Sequence, residues 1–144
     1  MGSPLKPSQA LEKLRHVVQN SSGVEQREKT PPNQINGFAV VVYSLSGRTE
    51  LGQKGANGRR VSCSETFRIV AAVPIEHFAD QYEKLMPYRE IIPERIAAAT
   101  CREQLGFPVE SISHTTGEID WGGKTLYGHI FDIPDIPFKY LVEV

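Results

Sequence analysis

The sequence has few cysteines, no long apolar run and no excess of charge of either sign. Two cysteines, Cys63 and Cys101, occur in 144 residues; they are too few for a disulfide framework, and their apolar neighbours favour reduced core residues. No apolar run approaches the roughly 18 residues of a membrane-spanning helix, and the amino terminus lacks the apolar segment of a signal peptide. The formal net charge of −1 argues against sequence-independent DNA binding by the whole surface. We expect a soluble protein without a membrane partner, made in a cytoplasm.

The length fits one domain spanning residues 1–144. Leucine and valine recur at helical spacing after Ser8, which predicts a helix over 9–20 with Ser8 as its cap. The segment 21–36 contains Pro31, Pro32 and many polar residues, and this composition predicts a long exposed loop.

Two strands are predicted on either side of a glycine-rich stretch. The run 38–45 is apolar on both faces, which is typical of a strand in the middle of a sheet. The run 61–73 alternates between apolar and polar residues. We therefore expect an antiparallel pair joined by a long flexible arm over 46–60, with at most a short strand at 49–51.

The second half of the chain alternates between helical and strand patterns. We expect helices at 75–86 and 94–105, and strands at 109–115, 125–133 and 138–144. Glycines should turn the chain between the first two of these strands, and Pro134 and Pro137 should bend or separate the last two; the glycines are Gly117, Gly122 and Gly123. The predicted fold class is α+β: a single, mainly antiparallel β-sheet with two helices packed on it and a long β-hairpin arm.

The stretch "LGQKGANGRR" resembles a phosphate-binding loop in its glycine spacing. Such a loop needs the amino terminus of a helix directly after it, and here a strand pattern follows instead. An exposed arm is the favoured interpretation. Its basic residues Lys54, Arg59 and Arg60 would contact DNA or an acidic neighbour, or remain solvated.

Residues that could support catalysis are few. The four histidines show no spacing typical of metal ligands, so no metal and no cofactor is predicted. His114, with Glu118 and Asp120 nearby, is the best candidate for a general base. No nucleophile motif accompanies these residues, and a polar, outward-facing strand is the favoured reading, so no catalytic residue is assigned.

Aromatic residues are concentrated in the last quarter of the chain. They suit one face of a terminal sheet, or an interface, where large rigid side chains are enriched. The candidates for a ring interface are Trp121, Tyr127, Phe138 and Tyr140.

The order of these segments resembles that of the tail terminator, or tail-completion, proteins of long-tailed bacteriophages. The resemblance covers roughly residues 8 to 133. It lies in the helix "ALEKLRHVV", the Gly-Val step "SSGVEQ", the proline-rich entry "TPPNQINGFAVVVY", the strand "ETFRIVAAVP" and the closing segment "LGFPVESISHTTGEIDWGGKTLYGHIFDI". The bent ending "DIPDIPFKYLVEV" departs from a simple final strand, and it leaves open a neighbouring role in head–tail joining or as another minor virion protein.

The resemblance implies a non-enzymatic structural protein of the virion, located at the head–tail junction. It implies a homohexameric ring that caps the tail tube, with the major tail (tube) protein and a head-completion or connector protein as partners and possible contact with passing DNA. Two alternatives remain: a small enzyme built on His114, and a nucleic-acid-binding module with Lys54, Arg59, Arg60 and Arg68 on one surface.

Overall fold

A four-stranded antiparallel sheet of order β1-β2-β4-β3 forms the framework, in a computed structural model that describes residues 5–19 and 32–143. A single 3₁₀ turn, Ile75–His77, precedes the second helix. The predicted α+β class with a long hairpin is confirmed, and the described residues contain three α-helices. The elements are α1 (Pro7–Gln19), β1 (Ala39–Gly55), β2 (Gly58–Pro74), α2 (Phe78–Leu85), α3 (Tyr88–Cys101), β3 (Ser113–Trp121) and β4 (Lys124–Glu143).

Most of the core lies between the helices and one face of the sheet. The largest side chains there are fully buried, including Phe38, Phe67 and Phe131. A smaller apolar cluster lies on the opposite face, where Ile35 packs with Val41, Val70 and other residues. The inner part of β1 is therefore buried on both faces, as its unbroken apolar run predicts. Of the predicted loop 21–36, only 32–36 lies within the described residues.

Helix α1 begins two residues earlier than predicted. Pro7 occupies its first turn, where a missing N–H costs no helical hydrogen bond. The Lys6 amide donates to Gln9 Oε1 at 3.0 Å, so Gln9 satisfies the free N–H that precedes the helix. The prediction of Ser8 as the cap is therefore wrong. The apolar spacing was interpreted correctly, because Leu14 and Val18 are buried.

Helix α3 begins six residues before the predicted start at 94 and ends four residues before 105. Pro93 lies inside it, although proline removes a backbone donor. The early start buries Tyr88 and Ile92 in line with Ile96, and tertiary packing of this kind decides the extent of most helices.

Strand β4 is one continuous strand of 20 residues, so the prediction of two strands separated by Pro134 and Pro137 is wrong. The chain accommodates Pro134 in a bulge: Phe67 pairs with Ile133, and Glu65 with Ile136, which leaves one extra residue in β4, whereas Pro137 stays in the ladder opposite Ser64. Asp135 in this bulge has a φ of 53°.

Strand β3 begins four residues later than the predicted strand at 109–115 and pairs with β4 from Trp121↔Lys124 to Ser113↔Asp132. Gly122 and Gly123 form the two-residue turn with φ values of 55° and 81°, as a type I′ hairpin requires. Gly117 lies within β3 instead of in a turn.

The β4 bulge and a register shift between Ser44 and Ser46 in β1 divide the sheet into two parts. The inner sheet comprises 39–44, 67–74, 124–133 and all of β3, and the helices pack on it. The wing comprises 46–55, 58–65 and 136–143 and has three strands, because β3 pairs with β4 only as far as Asp132. At the boundary the Ser44 hydroxyl donates to Glu65 Oε2 at 2.9 Å.

Candidate interaction surface

The predicted arm is the regular outer half of the β1–β2 hairpin. Pairing continues as far as Gly55↔Gly58, so only Ala56 and Asn57 lie in the turn. The expectation of a flexible loop over 46–60 does not match this strand pairing. Every residue of β1 from 44 onward is exposed, whereas 39–42 are buried. Since β1 has a neighbouring strand only on its β2 side among the described residues, the wing also presents an open backbone edge.

The three predicted basic contact residues meet at the end of the wing. Lys54 lies directly opposite Arg59, a like-charge pair that destabilises a hairpin in the absence of an anion. Arg59 Nε donates to the Gly52 carbonyl oxygen at 2.7 Å, which orients the guanidinium. Arg60 projects from the opposite face, because successive residues of a strand alternate. The end of the wing therefore presents positive charge on both faces.

Apolar side chains accompany these charges. Leu51 is 58% exposed, and Leu141 and Val142 are each 47% exposed. Leu141 lies opposite Arg60 and Val142 opposite Arg59. A shallow depression of about 430 Å³ beside Leu141 and Arg60 is bordered by Gly52 and Gly58. Apolar groups at a charged, exposed strand end are typical of a contact surface.

Two of the predicted ring-interface aromatics lie on the helix-covered face of the wing. Phe138 is buried against Phe67 and Phe107, with ring centroids 6.2 Å from each. The Lys6 ammonium lies 5.3 Å from the centre of the Tyr140 ring, which is partly buried. Phe138 thus anchors the wing to the core and presents little surface to a partner.

The other two aromatics lie elsewhere. Trp121 packs edge-on against Tyr43 at 5.9 Å, and its indole N–H donates to the Pro32 carbonyl at 2.8 Å. Tyr127 packs against Phe78 with centroids 4.4 Å apart. Trp121 and Tyr127 occupy opposite faces of the sheet, so the four aromatics do not form one continuous surface.

The fold does not place Glu118 or Asp120 next to His114, the candidate general base. His114 Nε2 accepts a hydrogen bond from Arg89 Nε at 3.3 Å, and its ring lies near Phe131. Glu118 is four residues further along the same strand, about 13 Å away at the rise of an extended chain. Within the described ranges, no group of three or more histidine, cysteine, aspartate or glutamate residues could hold a metal ion.

His129 is a buried polar residue that the sequence analysis did not single out. Its Nε2 lies 3.2 Å from the Leu85 carbonyl oxygen, and its Nδ1 lies 2.8 Å from Thr116 Oγ1. A carbonyl can only accept, so Nε2 carries the proton and Nδ1 accepts from the threonine hydroxyl. Burial lowers the pKa of His129, and the positive charge of Arg89 acts in the same direction. The side chain links β4 to β3 and α2.

Arg68 and Asp132 form a bidentate ion pair across β2 and β4, with Nε–Oδ1 and Nη2–Oδ2 distances of 2.7 and 2.8 Å. The hydrogen bonds to Asp132 raise the pKa of Arg68 further above its already high ordinary value. This pairing contradicts the alternative that places Arg68 with Lys54, Arg59 and Arg60 on one nucleic-acid surface, because the charge of Arg68 is already matched and Arg59 lies on the other face.

A second basic region lies between α1 and α3. A groove of about 640 Å³ there is bordered by Lys13, His16, Arg95 and Arg102. Its acidic border residue Glu12 is paired with Arg15 at 2.6 Å. Two of these groups, His16 in the last turn of α1 and Arg102 at the C-cap of α3, stand where a basic side chain complements the helix dipole, so their presence needs no ligand.

No protein-family model matches the chain, and no curated protein sequence matches it. Among the helices of the described residues, none has the length and apolar character needed to cross a membrane.

Proposed function

We propose that the chain is a structural subunit of a phage virion that assembles into a ring, caps the tail tube and joins it to the head. The support is the resemblance in segment order, together with a fold whose most exposed part is a paired wing. A ring subunit must present two different surfaces to its neighbours, because a heterologous contact uses one patch on each side.

The wing is the observation that carries the proposal. On the helix side the wing keeps Val61, Cys63, Ile136 and Phe138 in the core. Elsewhere, among the described residues, it presents an open and fully exposed β1 edge, exposed apolar side chains and a concentration of positive charge. In an isolated subunit each of these features is unfavourable or prone to association. Together they suit a subunit that completes its packing only in an assembly.

Two related roles share this surface. A connector or other minor tail protein would use the wing against the head-completion protein instead of the tube. Contact with DNA passing through the ring is favoured by one observation, the concentration of Lys54, Arg59 and Arg60 at the wing end. DNA contact predicts an affinity that falls steeply with salt, whereas binding to the tube protein would persist at moderate salt through its apolar part.

The test is the mass of the purified protein across concentration, by light scattering coupled to size exclusion, with negative-stain imaging of large species. We expect rings, either in solution or after addition of assembled tail tubes, and pull-down of the protein with sedimented tubes. A matched sample with isolated head connectors distinguishes the terminator from the connector role. Failure to bind either assembly under any of these conditions contradicts the proposal.

A further inference from the structure

The exposed apolar side chains are concentrated in two patches. Of the six large apolar residues with marked exposure among the described residues, only Leu45 lies outside them. The tip patch surrounds the free end of the wing: Lys54, Arg59, Leu51 and Val142 lie on one face, and Arg60 and Leu141 lie on the other. The α2 patch comprises Ile75 and Tyr82 with the acidic residues Glu76, Asp80 and Glu83.

The two patches lie at opposite ends of the molecule. Strand β2 begins at Gly58, beside the wing end, and finishes at Pro74, immediately before Ile75. Seventeen extended residues cover about 55 Å at roughly 3.3 Å per residue. A single chain therefore cannot bring its own two patches into contact.

The patches are opposite in charge. At the tip three basic residues face one acid, Glu143, which lies opposite Gly58. Along 75–86, three acids face one lysine, and the Lys84 ammonium lies 5.4 Å from the centre of the Phe38 ring, over the core. His77 lies 3.8 Å from Glu76 and is charged only when protonated. The outward face of α2 is thus acidic.

The residues of the α2 patch are all exposed and close together in the chain. Ile75 and Glu76 lie in the 3₁₀ turn, and Asp80, Tyr82 and Glu83 follow in α2. Tyr82 is 47% exposed, although its ring also packs edge-on against Phe78 at 5.5 Å. An exposed aromatic residue flanked by acids is complementary to an apolar strand end flanked by cations.

We propose that the tip patch of one copy packs against the α2 patch of the next copy, head to tail. This inference rests on the proposed ring function and names the two surfaces that join its subunits. Negative charge from Glu76 and Glu83 offsets the repulsion between Lys54 and Arg59, and the apolar residues of both patches leave water together. A contact between two different patches propagates around a closed ring or along a filament.

Charge reversal tests this pairing directly. The tip variant carries Lys54→Glu and Arg60→Glu, and it spares Arg59 because that guanidinium is bonded within the hairpin. The α2 variant carries Glu76→Lys and Glu83→Lys, and it spares Asp80 in the first turn of α2. Sedimentation velocity across a concentration series at low salt should show each variant associating about tenfold or more weakly than the wild type.

Restored association distinguishes loss of the contact between the two patches from misfolding of a variant. A chain that carries all four changes has an acidic tip and a basic α2, so its self-association should return towards the wild-type level. An equimolar mixture of the tip and α2 variants should also associate, because every junction between unlike chains then joins opposite charges. Matched control variants, Lys13→Glu on α1 and Glu94→Lys on α3, lie on exposed positions outside both patches and should leave association unchanged.

Three results overturn the inference: wild-type association that survives both reversals, loss of association that the four-change chain does not restore, or a wild-type protein that stays monomeric at the highest concentration. In the first two cases self-association itself remains, so the ring proposal survives with a different interface. In the third case the proposed function is tested separately, by whether the protein sediments with assembled tail tubes.

Discussion

The inner sheet and the wing share the strands β1, β2 and β4 but differ in what covers them. The inner sheet has helices on one face and the 32–36 segment with a second apolar cluster on the other. In the wing, β2 and β4 still bury Val61, Cys63, Ile136 and Phe138 on the helix side, whereas the outer half of β1 is exposed throughout and the opposite face has no second apolar cluster among the described residues. Burial therefore changes along each strand while the backbone pairing does not. The difference indicates that stability resides in the inner sheet and that the wing is available for contacts.

The largest expected effect comes from the inner sheet. Phe131→Ala removes a fully buried ring and should lower the free energy of unfolding by about 3–5 kcal/mol. Leu51→Ala in the wing removes a mostly exposed side chain and should change it by no more than about 0.5 kcal/mol. Urea denaturation of both variants measures the contrast, and similar losses from the two would remove the distinction between the regions.

Gly58→Ala should damage the wing alone. Gly58 has a φ of 143°, and an added Cβ would collide with the Val142 carbonyl oxygen. We expect a local cost of about 1–3 kcal/mol, measured by hydrogen exchange of the wing amides, with the inner-sheet amides unchanged. Gly52→Ala is the matched control, because its Cβ would lie 3.4 Å from Arg60, a contact that small shifts relieve. Equal exchange in the two variants would argue against the tight pairing at the wing end.

Asp132→Asn tests the boundary between the two regions. The Arg68–Asp132 pair is only about one quarter exposed, so losing its charge should cost about 1–2 kcal/mol after allowance for solvent screening. Glu50→Ala breaks the Arg48–Glu50 pair of the wing, whose side chains are largely exposed, and should cost no more than about 0.5 kcal/mol. Chemical denaturation measures the free energy of unfolding of both variants. A larger decrease for Glu50→Ala would contradict the claim that the Arg68–Asp132 pair at the boundary stabilises the protein more than the exposed pair in the wing.

The smallest effect at neutral pH is expected from protonation of His129. Its folded pKa lies below the ordinary value of 6.5, so its contribution to stability is complete above 6.5. That contribution decreases as the pH falls through 6.5, where the unfolded chain binds the proton, and levels off below the folded pKa. Between about pH 7 and pH 5, the free energy of unfolding should decrease less steeply with falling pH in His129→Gln than in the wild type. Chemical denaturation at several pH values measures this. The wing has no histidine. If acidification changed the hydrogen exchange of the wing amides as much as that of the inner-sheet amides, protonation of His129 would not be the cause of the pH dependence.

Local patterns predicted the hairpin and the strand order along the chain, but not where the elements end. The unbroken run 39–42 and the alternation after Val61 depend on burial, which composition reflects directly. The predictions took proline as a break in any helix or strand, because it removes a backbone donor. The predicted start of α3 was therefore too late, and β4 was predicted as two strands. In β4 the prolines are tolerated because no strand pairs with its outer side beyond Asp132 among the described residues.

The same limit applies to the candidate surface. Lys54, Arg59 and Arg60 are close in sequence, so their proximity at the wing end follows from any hairpin. The Arg68–Asp132 pair joins residues 64 positions apart and depends on the β2–β4 register, which no local pattern contains. The separation of Trp121 from Phe138 likewise depends on the register between β3 and β4, which pairs Trp121 with Lys124, and on which face each residue occupies.

The continuity of β2 and β4 across the boundary also has a mechanical consequence. Both strands run without a break from the exposed end into the buried inner sheet, so the wing is a cantilever fixed at one end. A force applied sideways at its free end is transmitted as shear along the hydrogen-bonded ladders instead of being absorbed by a hinge loop. We expect this cantilever to bend at its root, where the register shifts at Ser44/Ser46 and Glu65/Phe67 lie and Asp135 adopts a left-handed conformation.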